Sequence, residues 1–210
     1  MKTDDLIAAL SRDATLTDQP IARRLALALA ASAAIALALL ILVIKPRPDL
    51  MLAATTLLFD LKMVLMATLA VAAVALLRAV ARPEASLPRA VLILPAAMLV
   101  FGIGHELATQ LPANYATRLV GRNWAFCLVA IPFMAIGPLA LIMAAMRASA
   151  PASATRGGAI AGFAAGIVAA FFYGIHCVDD SPLFVVTWYT LAIGLITVLG
   201  AAIGRRVLAW

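Results

Sequence analysis

With 210 residues, 65% of them apolar and only 12% charged, and a mean hydropathy of +1.07, the chain departs from soluble composition, which is about half apolar and a quarter charged. The longest polar stretches are residues 1–24 and 105–123, which leaves no room for a second, soluble domain. The net charge of +6 is distributed as a membrane topology signal and says little about nucleic acid, so no direct nucleic-acid contact is expected.

Residues 1–20 form a short head. Leu6, Ile7 and Leu10 share one face at helical spacing, and Thr3 followed by Asp4 and Asp5 suits a helix start, because the acids favour the positive end of the dipole. A helix of about ten residues is marginal alone in water and needs a surface to dock on. The alternative is a membrane-surface helix or an unstructured tail, although surface anchors are usually rich in Lys and Arg.

Spanning a hydrocarbon core takes about 20 apolar residues as helix. Six stretches answer that description: Leu25–Ile44, Leu57–Leu77, Leu87–Gly104, Trp124–Met146, Gly157–Ile175 and Pro182–Ile203. The third is opened by Pro88 and Arg89 and must run towards Leu107 to span. The first follows Arg23–Arg24 like a signal sequence, but it is longer than the usual 7–15-residue apolar core and five more spans follow, so an uncleaved span is expected. Lipid leaves backbone groups no partners outside the chain, and the alternating pattern of a barrel is missing. The fold class predicted is therefore an all-α integral membrane protein with six transmembrane helices over residues 21–210.

Between the spans, Lys45-Pro46-Arg47-Pro48 reads as a tight turn, Arg78–Arg89 as a basic linker, 105–123 as the largest loop, Ala148–Arg156 as a flexible linker and Cys177–Ser181 as a short acidic loop. With the N-terminus inside, eleven of the 16 Lys and Arg residues fall on the cytoplasmic side (Lys2, Arg12, Arg23, Arg24, Arg78, Arg82, Arg89, Arg147, Arg156, Arg205 and Arg206). Four fall outside (Lys45, Arg47, Arg118 and Arg122), and Lys62 lies within a span. Both termini are thus expected in the cytoplasm.

Span five carries Gly158, Gly162, Gly166, Ala170 and Gly174, a small residue every four positions that lets another helix approach closely. Packing within the bundle is the simpler use, and a homodimer seam the alternative. Pro132 and Pro138 free backbone carbonyls in span four and predict a kink. Asp60 and Lys62 interrupt span two as intramembrane charges. At i,i+2 they point apart, so Lys62 either snorkels or meets Asp179, Asp180 or Glu106. Trp124 suits an interfacial belt, whereas Trp188 lies deeper and is expected to pack in the bundle.

The chain has two cysteines and two histidines. Cys127 opens span four and Cys177 closes span five, and the predicted topology puts both at the external face with His176, Asp179, Asp180, His105 and Glu106. Three readings stand side by side: a structural disulfide, a metal-responsive or redox-responsive dithiol, and two inert buried thiols. The dithiol is taken forward, since thiolates are soft ligands and neighbouring imidazole and carboxylate can complete a site for a zinc-like or cadmium-like ion. Any such ion is transient, and no constitutive cofactor is expected. No catalytic constellation appears, so the chain is not expected to be an enzyme.

The opening Lys2-Thr3-Asp4-Asp5-Leu6-Ile7-Ala8-Ala9-Leu10, the segment Asn123-Trp124-Ala125-Phe126-Cys127-Leu128, and His176-Cys177-Val178-Asp179-Asp180-Ser181-Pro182 with Trp188-Tyr189 resemble the NrsF-type family. These are six-span anti-sigma factors of the bacterial inner membrane that restrain an extracytoplasmic-function (ECF) sigma factor. The resemblance covers almost the whole chain. It implies that the N-terminal segment holding Asp4, Asp5, Leu6, Ile7 and Leu10 contributes to binding the sigma factor. It also implies that Cys127 and Cys177 respond to heavy-metal or oxidative stress. An acidic amphipathic helix suits a basic partner. The rival readings are a membrane thiol-redox protein, which would normally need more than one dithiol, and a metal-ion transporter, which would need more polar groups at mid-membrane.

Overall fold

The computed structural model describes residues 21–82, 86, 88–149 and 151–209. The head, with Asp4, Asp5, Leu6, Ile7 and Leu10, lies outside the described residues, as does Trp210. Six helices are long and apolar enough to cross a membrane, and no strand occurs among the described residues. We number them α1 (Ile21–Ile44), α2 (Leu57–Val80), α3 (Arg89–Thr109), α4 (Trp124–Met146), α5 (Ala154–His176) and α6 (Pro182–Val207).

All six predicted spans are present, and most run a few residues past the apolar stretch that announced them. α1 takes in Arg23 and Arg24, α3 reaches Thr109 and α6 reaches Val207. Hydropathy marks where lipid ends, but backbone hydrogen bonding favours another turn, and the long stems of arginine can line it. Two loops are more structured than their sequences imply. The turn after α1 continues into a helical turn, Leu50–Ala53, and residues 105–123 contain a turn at Pro112–Asn114 and a short helix, Tyr115–Val120. α4 passes through Pro132 and Pro138 as one helix.

α5 is the central and most enclosed helix, in contact with α6, α4, α2 and α1. Its glycine stripe is the reason. A methyl group built on Gly158 would stand 2.3 Å from the Gly200 carbonyl oxygen, and one on Gly162 would stand 2.3 Å from the Ile196 carbonyl oxygen. Gly200 and Gly204 are equally tight from the other side. The α5–α6 contact is therefore backbone against backbone. That part of the stripe is filled within the chain, which leaves none of it for a homodimer seam. α1 packs on α4, while α3 sits at the edge against α2 and the first turn of α6.

Serines start two of these helices. Ser153 Oγ accepts the Arg156 amide at the head of α5, and Ser181 Oγ accepts the Phe184 amide at the head of α6, where Pro182 takes a position that needs no donor. The loops between α1 and α2, α3 and α4, and α5 and α6 meet at one end of the bundle, as the predicted topology requires. Their meeting point holds the polar residues considered next.

Candidate functional site: the cysteine loop and its buried charges

Cys127 lies in the first turn of α4, its amide bonded to the Asn123 carbonyl at 2.8 Å. Cys177 is the residue at which α5 ends, its amide bonded to the Tyr173 carbonyl at 3.0 Å. Both side chains are fully buried and both thiols are free, so the structure does not contain the disulfide. Cys177 Sγ has the Asp179 carbonyl at 3.8 Å, and burial raises its pKa above the ordinary thiol value, partly offset by the Lys62 ammonium.

Around the thiols the walls are aromatic. Tyr173 and Tyr189 are buried with ring centroids 5.8 Å apart, and both hydroxyls lack a hydrogen-bond partner. Phe126 and His176 close the side, with centroids 5.4 Å apart. From the sequence, Tyr173 has no assigned role and Tyr189 enters only beside Trp188 in the family resemblance. The available signal was their position: Tyr173 is one helical turn before Cys177, and Tyr189 follows Trp188 in the first turns of α6.

The polar residues predicted near the cysteines are present, and all but His105 are committed to structural bonds. His176 Nδ1 bonds the Lys45 carbonyl at 2.7 Å. Asp179 accepts the backbone amides of Arg122 and Asn123, the latter at 2.9 Å, and so fixes the approach to α4. Asp180 is held between two cations. Lys62 Nζ donates to its Oδ1 and also to the Cys177 carbonyl at 3.0 Å, while Arg47 Nη1 donates to its Oδ2 at 2.8 Å. His105 lies on α3 with its ring against Phe101 and Nδ1 buried without a partner. Among the described residues, no three of His, Cys, Asp and Glu converge as a ready cation cage.

Lys62 is therefore not a snorkelling side chain. It is 2% exposed, near the N-terminal end of α2, and its charge is met by Asp180. Asp60 is exposed in the first turn of the same helix, where a carboxylate suits the dipole. Arg47, read from the sequence only as part of a proline-flanked turn, is buried and forks onto both oxygens of Asp49 at 2.8 Å. That pairing raises the guanidinium pKa and lowers that of Asp49, so both are ionised at neutral pH. Two cations, Arg47 and Lys62, thus face two carboxylates, Asp49 and Asp180.

A buried acid completes the layer. Glu106, 1% exposed near the end of α3, accepts Ser181 Oγ at 2.7 Å and the Leu183 amide at 3.0 Å, and pairs with Arg118 Nε. It anchors the start of α6 to α3. Trp188, half-buried, donates its indole N–H to the Leu119 carbonyl at 2.7 Å and stacks on Trp124 at 5.2 Å. Gly121, at φ 62, turns the chain into α4, and a Cβ there would strike the Phe184 ring at 2.4 Å.

Chemically, the arrangement joins two buried soft donors to a rigid, charge-neutral polar shell. Thiolates are soft donors. Among the predicted neighbours, His176 keeps its Nε2 outside the bond that its Nδ1 makes to the Lys45 carbonyl, whereas Asp180 would have to leave its cations to serve as a further donor.

Comparison with known proteins agrees with the sequence resemblance. The family model described as "Negative regulator of sigma F" matches residues 10–210. The "Anti-sigma-F factor NrsF" of Caulobacter vibrioides is 32% identical over 219 aligned positions, with the whole of both chains covered. The "Probable anti-sigma-F factor NrsF" of Azospira oryzae is 30% identical over 214, again over both full lengths. No solved structure matches the chain. On the strength of a match that takes in all six helices and both cysteines, the chain belongs to the NrsF family of negative regulators of sigma F.

Proposed function

We propose that the protein is an anti-sigma factor that holds an ECF sigma factor at the cytoplasmic face of a bacterial inner membrane. In this reading the head supplies the contact through Asp4, Asp5, Leu6, Ile7 and Leu10, and Cys127 and Cys177 receive a heavy-metal or oxidative signal at the opposite face. The single observation that carries the proposal is the full-length likeness to relatives named anti-sigma-F factors. The cysteine geometry supports its second half. Two free thiols lie buried where α4 begins and α5 ends, at the end of the bundle where no cross-link ties these two helices.

Either signal acts on that pair. Ligation by a soft ion draws two thiolates onto one centre and releases their protons. Oxidation forms one S–S bond, with two electrons passing to a two-electron oxidant such as a peroxide and two protons leaving to water. In both cases Cys127 and Cys177 are pulled into a new geometry, and the aromatic walls and charge shell must adjust. A metal-ion transporter is the less economical reading, because the charges of α2 lie at its outer end rather than at mid-membrane.

The test is a pull-down of the detergent-solubilised protein with its sigma factor, with and without cadmium chloride. A one-to-one complex lost on adding the ion, and retained in the Cys127→Ser/Cys177→Ser double variant, is the expected result. Deleting residues 2–15 should abolish the complex under both conditions. No complex with the intact chain in either condition would overturn the anti-sigma reading. Metal-induced loss that persists in the double variant would overturn the role of the cysteines.

A further inference from the structure

The cysteine loop is bound more firmly to α1 and α2 than a five-residue connection requires. Four hydrogen bonds run from the joint after α1 to the end of α5 and its loop. The Arg47 amide donates to the Ile175 carbonyl at 3.2 Å, and His176 Nδ1 bonds the Lys45 carbonyl at 2.7 Å. The Arg47 guanidinium donates to the Cys177 carbonyl at 3.4 Å and to Asp180 at 2.8 Å. Lys62 of α2 adds two more, to the same carbonyl and the same carboxylate.

The joint itself is unusual. Lys45 has φ 68, the only positive value at a non-glycine among the described residues. A side-chain-bearing residue held there is strained and persists only where its surroundings impose it. Here Lys45 is held between α1, through its amide to the Leu40 carbonyl, and α5, through its own carbonyl and Arg47. Such a joint has a lower-energy alternative once the ties are loosened.

Buried ion pairs add little net stability against apolar packing, because desolvation offsets attraction, and their best-attested role is to fix one arrangement out of several. Lys62 and Arg47 are 2% and 8% exposed and both meet Asp180, so moving that one carboxylate leaves the buried Lys62 without a carboxylate and Arg47 with Asp49 alone. Asp180 is three residues beyond Cys177, and the Cys177 carbonyl is shared by the same two cations.

We propose that Arg47 and Lys62, closed on Asp180 and on the Cys177 carbonyl, form an ionic latch that transmits a change at the thiols to α1. α1 leads directly to the N-terminal head at the far end of the bundle. Opening the latch frees the Lys45 joint to relax, lets α1 shift against α4, and alters the head. The latch rests on the anti-sigma reading above and names how its signal crosses the membrane. Arg47, Lys62 and Asp180 are positioning residues in this scheme; the thiols alone meet the signal.

The experiment uses full-length chains in cells that carry the sigma factor and a reporter it transcribes, with membrane levels of each variant measured. Arg47→Gln and Asp180→Asn are expected to raise unstressed transcription at least about fivefold, the lower end of typical allosteric coupling, at wild-type membrane levels. The rise should persist when Cys127→Ser and Cys177→Ser are added to Asp180→Asn, because the latch lies downstream of the thiols. A purely structural ion cluster would change protein level without that epistasis. If Asp180→Asn fails to accumulate, Arg47→Gln decides, since Lys62 still neutralises Asp180. Variants that accumulate, stay silent and respond normally to cadmium chloride would overturn the latch, as would silencing of Asp180→Asn by the cysteine substitutions. Deleting residues 2–15 in the same cells separates the two ideas: if that deletion leaves transcription low, the anti-sigma reading has failed rather than the latch.

Discussion

At the scale of single residues, the ionisable groups of this protein are governed by where the loops cross. Lys62 alone in an apolar helix would be costly, and the chain answers with Asp180 from 118 positions away. The sequence narrows the partner of Lys62 to a few acids but contains nothing that draws Arg47 inward. Its neighbours are prolines, and its second partner lies 133 positions away. Cys177 is easier to read, since a cysteine closing a span beside histidine and aspartate announces a site. Its burial carries a testable consequence. A thiol whose pKa stands above the ordinary value of about 8.5 has little thiolate at neutral pH. Iodoacetamide labelling of the Cys127→Ser variant in detergent, followed by mass spectrometry, should be at least about tenfold slower than for a cysteine placed at exposed Met51. The rate should keep climbing with pH beyond the point at which the exposed cysteine levels off. Equal rates at pH 7.5 would mean that the Cys177 thiol is not enclosed.

At the scale of helices, the glycine spacing of α5 showed that a close neighbour was needed, but not which one. The answer is in α6, where Gly200 and Gly204 supply the matching flat surface. A stripe on one helix is visible as periodicity, whereas its pairing depends on which helices the bundle sets side by side. The interface gives a graded prediction. Gly162→Leu must push the Ile196 and Thr197 backbone away and should destabilise the bundle by about 1–3 kcal/mol or more, read as a lower thermal midpoint or failed membrane accumulation. Gly194→Leu, on the same helix pair but with nothing within 4 Å of its added Cβ, should leave the midpoint within a degree or two of wild type, about the effect of an ordinary surface change. Equal behaviour of the two variants would refute the seam. The helical turns inside the loops were the least legible elements, because short segments such as Tyr115–Val120 have no apolar run to announce them and are held by contacts like Tyr115 Oη to the Leu107 carbonyl at 2.7 Å.

At the scale of the molecule, composition was enough to give six helices, and the distribution of Lys and Arg gives an orientation that can be checked. An alkaline phosphatase fused at residue 113 should be active and one fused at residue 152 inactive, since only the first would be exported. The reverse pattern would turn the protein over and place the cysteines inside. The coming together of the three loops at one end already follows the alternation that six crossings demand, and the ion pairs give it contact detail that no count of charges could.

The glycine seam also restricts how this bundle is able to deform. α5 and α6 form a hairpin whose two legs touch through their backbones, with Cys177 at the bend. A hairpin splinted along its length does not spread when its bend is pulled; it swings as a single lever. A displacement of α5 by a new bond between Cys177 and Cys127 that the loop does not take up is therefore shared by α6, and would be felt at their distant ends, near Arg156 and Arg205.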